Sequence, residues 1–213
     1  KLVLDNNIPI NVPDIKILDK KNIDIIDTYP NIISIKEQTG GNSKYFCKNK
    51  IELFENYLEL EKTKKEIIIC PFLDTYNEDL ECFLSIRIFC INDILIDFIS
   101  RPSKNWNVHN SNIIFDQKIL KNADLFFEKW LKENKEQFNN FLVKLYNILG
   151  PGLFCHDLII HKNQLYLTEL GYKSHEAHFH NLIDFHKIKL GKKFEKIQEY
   201  IKFYNDTILN YKY

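Results

Sequence analysis

Apolar residues recur along this chain with two different periods. Runs rich in Ile, Phe, Leu and Cys cover residues 80–91 and 94–100, and Asn92-Asp93 between them is a good two-residue hairpin turn. A second pair of runs flanks the polar Lys162-Asn163-Gln164. These are Cys155-His156-Asp157-Leu158-Ile159-Ile160-His161 and Tyr166-Leu167-Thr168-Glu169-Leu170-Gly171-Tyr172, and they predict another hairpin. Residues 32–37 read as a short strand, and 66–74 as an apolar strand running into an extended X-Pro segment. Elsewhere the period is helical. A helix is predicted over 50–62, where Leu53, Phe54, Tyr57 and Leu58 share a face. A second covers 117–149, with a break near Lys132-Glu133-Asn134. A third closes the chain over 192–211, with Phe194, Ile197, Ile201, Tyr204 and Ile208 on one side. The outline is α+β, and 213 residues are enough for one large or two small domains with real cores. There is no internal repeat and no low-complexity segment.

Composition changes this picture little. Basic and acidic residues are equal in number, so no field that would steer the chain to nucleic acid or a membrane is implied. The abundance of Lys, Ile and Asn fits an AT-rich genome. Cys47, Cys70, Cys82, Cys90 and Cys155 are odd in number and sit in apolar segments, as reduced core residues of a cytoplasmic protein do. No apolar run reaches the ~18 residues of a membrane span. The chain has no Met at all, so a fragment or processed form is expected. Nothing in composition sets the oligomeric state.

The hairpin near the C-terminal end carries the strongest chemical signal. Asp157 and Glu169 lie near the outer ends of its two strands and so are expected close to opposite each other. Two carboxylates facing one another among Leu, Ile and Tyr repel and desolvate badly unless something positive lies between them. A hard divalent cation such as Mg²⁺ is one answer, since it takes one or two carboxylates plus phosphate oxygens. A surface hairpin with one carboxylate pointing out is the plain alternative. Upstream, Lys36 ends a strand and is followed by Gln38-Thr39-Gly40-Gly41-Asn42-Ser43-Lys44. Backbone N–H groups can approach a phosphate where no Cβ intervenes, and an ammonium neutralises it. An ordinary turn with a solvated lysine reads equally well. The G-x-x-x-x-G-K-[ST] and G-x-G-x-x-G spacings are both absent. In Cys70-Pro71-Phe72-Leu73, Pro71 keeps a carbonyl for a purine's exocyclic amine, and Leu73 keeps an N–H for its ring nitrogen. A core strand ended by proline is again the plain reading.

Taken in order, these pieces resemble the ATP-grasp family: a Lys-ended strand with a glycine loop, a hinge strand that holds adenine, and a strand pair carrying the metal carboxylates. Asn6-Asn7-Ile8-Pro9-Ile10-Asn11-Val12-Pro13 is similar to that family's entry into its first lobe. The resemblance covers nearly the whole chain and implies two lobes, 1–73 and 74–213, each an antiparallel-rich sheet with flanking helices. It implies ATP as cofactor, with Lys36, Gly40, Gly41 and Ser43 near the phosphates and Cys70, Pro71, Phe72 and Leu73 at the base. Asp157 and Glu169 would hold Mg²⁺ or Mn²⁺. Arg101 falls where such enzymes hold the transferred phosphoryl group or an acceptor carboxylate. Arg87 alternates with Ile86 and Ile88, so it faces the nucleotide if they face the core. Structural salt bridging is the alternative for both. Lys173, two residues beyond Gly171, is expected near the transferred phosphate.

Three departures stand out. Cys70 replaces the usual hinge Glu or Gln, at small cost if only backbone reads the base. Gly171 replaces a metal-binding Asn and puts a second metal in doubt. The family's earlier lysine is expected upstream of Lys1, as is its N-terminal α/β domain, which has no counterpart here. His175, His178, His180 and His186 lack the H-E-x-x-H spacing and read as acceptor pocket or surface before zinc.

The activity the resemblance implies is ATP-dependent ligation. A small carboxylate becomes an acyl phosphate and an amine captures it, with positioning and charge neutralisation as the protein's task. Phosphotransfer to a small molecule is one alternative, and a non-catalytic nucleotide-binding or scaffold protein is another. No nucleic-acid or membrane partner is implied.

Overall fold

The computed structural model describes residues 11–36, 43–171 and 202. The expected elements at 1–10, Gly40, Gly41, Lys173, the histidine cluster and the closing helix lie outside these residues, apart from Lys202. Two antiparallel sheets account for the described chain. The first is built from β1 (Lys16–Leu18), β2 (Asn31–Ile35), β3 (Lys44–Cys47) and β4 (Ile67–Pro71), in the order β1-β4-β2-β3. Helix α1 (Lys50–Glu61) lies between β3 and β4 in sequence and starts where the Asn49 side chain accepts from the Glu52 N–H at 3.0 Å, as an N-cap should. Its Leu53, Tyr57 and Leu60 pack on Ile33, Ile35, Ile67 and Ile69, all buried. That apolar face is worth ~1.5–3 kcal/mol per large side chain.

The second sheet contains β5 (Tyr76–Asn77), β6 (Cys82–Ile91), β7 (Ile94–Ser103), β8 (Leu153–His161) and β9 (Gln164–Gly171). Its path runs β5-β6-β8-β9, with β7 on the other side of β6. Helices α2 (Gln117–Glu133) and α3 (Lys135–Leu149) cover one face. Asp116 caps α2 by accepting from the Lys118 and Ile119 N–H groups at 2.8 and 3.0 Å. Asn134 separates the two helices, at the predicted break. Under them, Phe127, Trp130, Phe138, Phe141, Leu142 and Leu145 form one core with Ile86, Ile88, Leu158, Leu165 and Leu167. The Trp130 indole N–H reaches the Asn163 carbonyl at 3.3 Å and ties α2 to the tip of the last hairpin. At that tip Lys162 and Asn163 both have positive φ, 49° and 64°. This is the backbone a two-residue turn needs to follow the twist of its strands.

Strands β1, β3 and β5 are only 3, 4 and 2 residues long, too short for a period to be read, and the predicted elements do not include them. The two sheets are joined in more than one place. Asn11 makes a parallel bridge to Tyr166, its carbonyl accepting from the Leu167 N–H at 3.0 Å. Val12 packs against the second core. Among the described residues, no helix is long and apolar enough to cross a membrane.

Candidate active site

Alternation along the second sheet divides its residues. Ile86, Ile88, His156 and Leu158 face the helices, so Ser85, Arg87 and Asp157 face the other way. Glu169 ought not to join them. It follows Leu165 and Leu167 in steps of two, and those face the core. A β-bulge resolves this: Leu158 pairs with Leu167, yet Asp157 pairs with Glu169, so Thr168 is the extra residue. Its hydroxyl donates to the Asp157 carbonyl at 3.0 Å. The bulge turns Glu169 to the Asp157 side, and the two expected carboxylates are direct cross-strand partners. Glu169 is exposed, whereas Asp157 is buried.

What lies beside Asp157 is guanidinium. Arg87, its register partner on β6, donates through Nε and Nη2 to its two oxygens at 2.7 and 2.8 Å. Arg101 comes from β7, one strand further away. It crosses above Ser85, donating from Nη2 to the Ser85 Oγ at 2.6 Å, and its Nη2 stands 2.9 Å from Asp157 Oδ2. A small residue at 85 leaves room for that crossing. Burial alone would raise the Asp157 pKa. The Arg87 hydrogen bond and the charges of Arg101 and Arg87 outweigh it and hold the carboxyl below its usual range. Burial acts against the Arg87 charge too, but pairing with Asp157 wins and its pKa is raised. Arg101 moves down, because burial and the nearby Arg87 charge exceed what Asp157 returns. It stays charged at any physiological pH, since a free guanidinium titrates above ~12. Arg101 Nε is buried without a partner among the described residues.

This arrangement tests the expected metal pair. Both Asp157 oxygens already accept from guanidinium groups, and a dication placed there would meet two cations. Nor can a side chain at position 171 supply the missing oxygen. A Cβ on Gly171 would stand 1.9 Å from the Cys155 carbonyl oxygen, closer than atoms can approach. Among the described residues, no three His, Cys, Asp or Glu side chains gather as a metal site. The donor set does not fit two ions. Among the described residues it leaves Glu169 as the single carboxylate positioned for a cation that arrives with phosphate oxygens.

The residues expected to form the hinge lie at the end of β4 in the first sheet. Phe72 donates its N–H to the Pro30 carbonyl at 3.0 Å. By strand alternation the Pro71 carbonyl and the Leu73 N–H then point to the opposite edge, the β1 side. There β1 begins at Lys16, opposite Ile69, so among the described residues Pro71 is paired on the β2 side, with Asn31, and has no strand partner on the β1 side. Cys70 lies beside them, its thiol pushed up to about 11 by burial. Phe46 of β3, Phe72 and Trp106 form an aromatic triangle with centroids 4.7, 5.7 and 6.2 Å apart, joining the first sheet to the loop after β7. Lys36 follows β2 and forms an ion pair with Glu66, both partly exposed. Ser43 begins the turn into β3.

Sequence reasoning named Arg87, Arg101, Asp157 and Glu169, and the structure brings these four together on one face. It missed Ser85, the Thr168 bulge and the aromatic triangle. Ser85 was visible as the one small polar residue in an apolar run. A groove of about 580 Å³ between α3 and the start of β7, lined by Ile94, Leu131, Phe138 and Leu142, shares no residue with the charged cluster.

No family model and no curated protein matches the sequence. Solved structures do. D-alanine–D-alanine ligase from Bacillus anthracis aligns with a TM-score of 0.55 at 15% identity, over 97% of this chain and 66% of that one. N5-carboxyaminoimidazole synthetase from Staphylococcus aureus, complexed with ADP, aligns at 0.50 and 19%, over 79% and 42%. An ATP-grasp ligase complexed with a minimal precursor aligns at 0.50 and 11%, over 82% and 50%. The chain thus spans 42% to 66% of the length of these three proteins. At such identities the likeness is one of fold, and the fold of this chain is ATP-grasp.

Proposed function

We propose that this chain binds ATP between two lobes, 1–73 and 74–213, and uses it to activate a small carboxylate for capture by an amine. The observation that carries this reading is the four-residue charged face: Arg87, Arg101, Asp157 and Glu169 gathered on the non-helical side of the second sheet. Proteins titled as ligases share the fold. In this reading the Pro71 carbonyl and Leu73 N–H take the adenine edge, and Lys36 with the 40–43 loop takes the α- and β-phosphates. The acid's oxygen attacks the γ-phosphorus, the bond to the β–γ bridging oxygen breaks, and ADP leaves. The amine then attacks the acyl carbon, inorganic phosphate departs, and the amine's proton goes to solvent. Arg87 and Arg101 stabilise the charge spread over the phosphoryl oxygens, in a buried setting where donors fixed beforehand are most effective. Lys173 is proposed to reach the same group. A cation carried by the nucleotide would neutralise phosphate charge beside Glu169.

ADP release from the chain, assayed against panels of small carboxylic acids and amines, tests the proposal. Turnover that needs both an acid and an amine is the expected result. A second reading, nucleotide binding without turnover, is favoured by the arginine-held Asp157 and by the crowding at Gly171. Stabilisation by ATP with no ADP release under any pair of substrates would select it.

A further inference from the structure

Resting on the reading of this face as a phosphate site, we infer that Asp157 is the bridge of an arginine pair and not a metal ligand. Arg87 and Arg101 then take the anionic oxygens that a second divalent ion would otherwise hold.

Three independent features of the backbone and side chains carry this. Arg87 is the direct register partner of Asp157 and engages both of its oxygens through two N–H groups, the planar fork-to-carboxylate match that lysine cannot make. Arg101 reaches the same carboxylate from two strands away, with Ser85 as the step beneath it. The three charges sum to one net positive, buried on the sheet and bordered by exposed Glu169. Such a centre attracts an anion and resists a dication.

The second feature is an unmet need. Arg101 Nε is buried and has no partner among the described residues. A buried donor left unpaired is destabilising, so a small shift of the Arg101 side chain that brings its Nε to an entering phosphoryl or carboxylate oxygen is favoured. A metal ion would not satisfy it, because it offers no lone pair. The third feature is steric. The 1.9 Å approach between a Cβ at Gly171 and the Cys155 carbonyl shows β9 lying too close to β8 at that point for any side chain. The position cannot present a side-chain oxygen, so the pair of carboxylates has no third side-chain ligand from the strand that would complete a second site.

The inference is tested by ADP binding to the chain, measured calorimetrically with Mg²⁺ and again with EDTA, and by counting Mn²⁺ on the ADP complex by electron paramagnetic resonance. ADP affinity should fall less than about tenfold in EDTA, with no more than one Mn²⁺ per chain. Arg101→Gln should weaken ADP by more than about tenfold in both buffers, since the guanidinium acts without the metal. Asp157→Asn should leave the Mn²⁺ count unchanged. If that variant does not fold, the count on the unaltered chain decides alone. Two Mn²⁺ per chain, or a loss greater than about tenfold in EDTA, overturns the inference while leaving nucleotide binding intact. Absence of ADP binding in both buffers overturns the nucleotide reading and this inference with it.

Discussion

The two faces of the second sheet are built from the same strands and share nothing in their chemistry. Toward the helices, Ile86, Ile88 and Leu158 are fully buried in an apolar core. One residue away in each strand, Ser85, Arg87 and Asp157 form a hydrogen-bonded ionic cluster with Arg101. The apolar face gains free energy wherever it is covered, whatever covers it. The ionic face gains little net: desolvating each charge costs several kcal/mol, which the pairing only roughly offsets. Its worth lies in position. A strand holds adjacent residues to opposite faces at fixed spacing, so a charged constellation can be set rigidly by the packing of its immediate neighbours.

The neighbours Leu158 and Asp157 break this comparison most sharply. Leu158→Ala should cost ~2–5 kcal/mol through the cavity it leaves. Asp157→Ala should cost a similar ~3–5 kcal/mol for a different reason, two buried guanidiniums left without their counter-ion. Chemical denaturation gives both values. The distinction appears on doubling: Arg87→Met with Asp157→Ala should restore part of the loss, whereas no polar-face change should rescue Leu158→Ala. A cavity-like, additive response of Asp157→Ala would mean the cluster is ordinary packing.

How far this division could be read from the sequence depends on the period. Arg87 announces itself because it interrupts Ile86 and Ile88, and the strict period of two assigns it a face. The hairpin turns, the helix break at Asn134 and Asp157 are legible for similar local reasons. Glu169 is different. Counting by twos from Leu165 and Leu167 puts it in the core, and only the Thr168 bulge corrects the count. A bulge is set by how two strands settle against their layers, which no local pattern records. Arg101 is a case of distance. Its role depends on reaching a residue 56 positions on in the sequence, across a strand whose Ser85 happens to be small (157 − 101 = 56). The aromatic triangle joins three segments in the same way: Phe72 is expected at the hinge, but nothing local in the sequence ties it to Phe46 or Trp106.

Acid separates the faces by pH. His156, on the core side, stacks on Phe154 at 5.6 Å with its Nδ1 unpartnered among the described residues, and burial pushes its pKa down from 6.5 to about 4. The unfolded chain therefore takes up a proton before the folded one does, and stability falls as pH drops from 6.5 toward 4. The gap corresponds to ~3 kcal/mol once complete. Asp157 behaves otherwise: its folded pKa lies below 3.8, so its contribution is intact above that value and is lost only as pH falls through the lower one. His156→Phe should flatten the stability profile between 6.5 and 4 and leave the steeper loss below it. A profile unchanged by this substitution would assign the upper window to another group.

Ser85 tests whether the polar face depends on a gap as well as on charge. Ser85→Val keeps the strand propensity high but fills the space that Arg101 crosses and removes the Oγ acceptor. The expected loss is ~1–3 kcal/mol, for a buried donor left unpaired. ADP affinity should fall with it. Ser85→Ala removes the acceptor alone, and comparing the two separates crowding from the hydrogen bond.

The smallest stability effect is expected at Lys36, where a cation and a carboxylate meet outside both faces. Lys36 and Glu66 form an ion pair as Arg87 and Asp157 do, but their side chains remain 47% and 41% exposed. Water screens such a pair, and holding two long side chains together costs rotamer entropy. Its contribution is therefore ~0–1 kcal/mol, against several for breaking the buried pair. Lys36→Ala should accordingly leave the denaturation midpoint almost unchanged. If its ammonium exchanges Glu66 for the nucleotide's α- and β-phosphates, the same variant should weaken ADP by about tenfold or more, a charge-assisted hydrogen bond lost. Adenosine, which has no phosphates, should bind the variant and the unaltered chain equally. Equal losses for ADP and adenosine would place Lys36 at the hinge or in the fold, and an unchanged ADP affinity would remove it from the site.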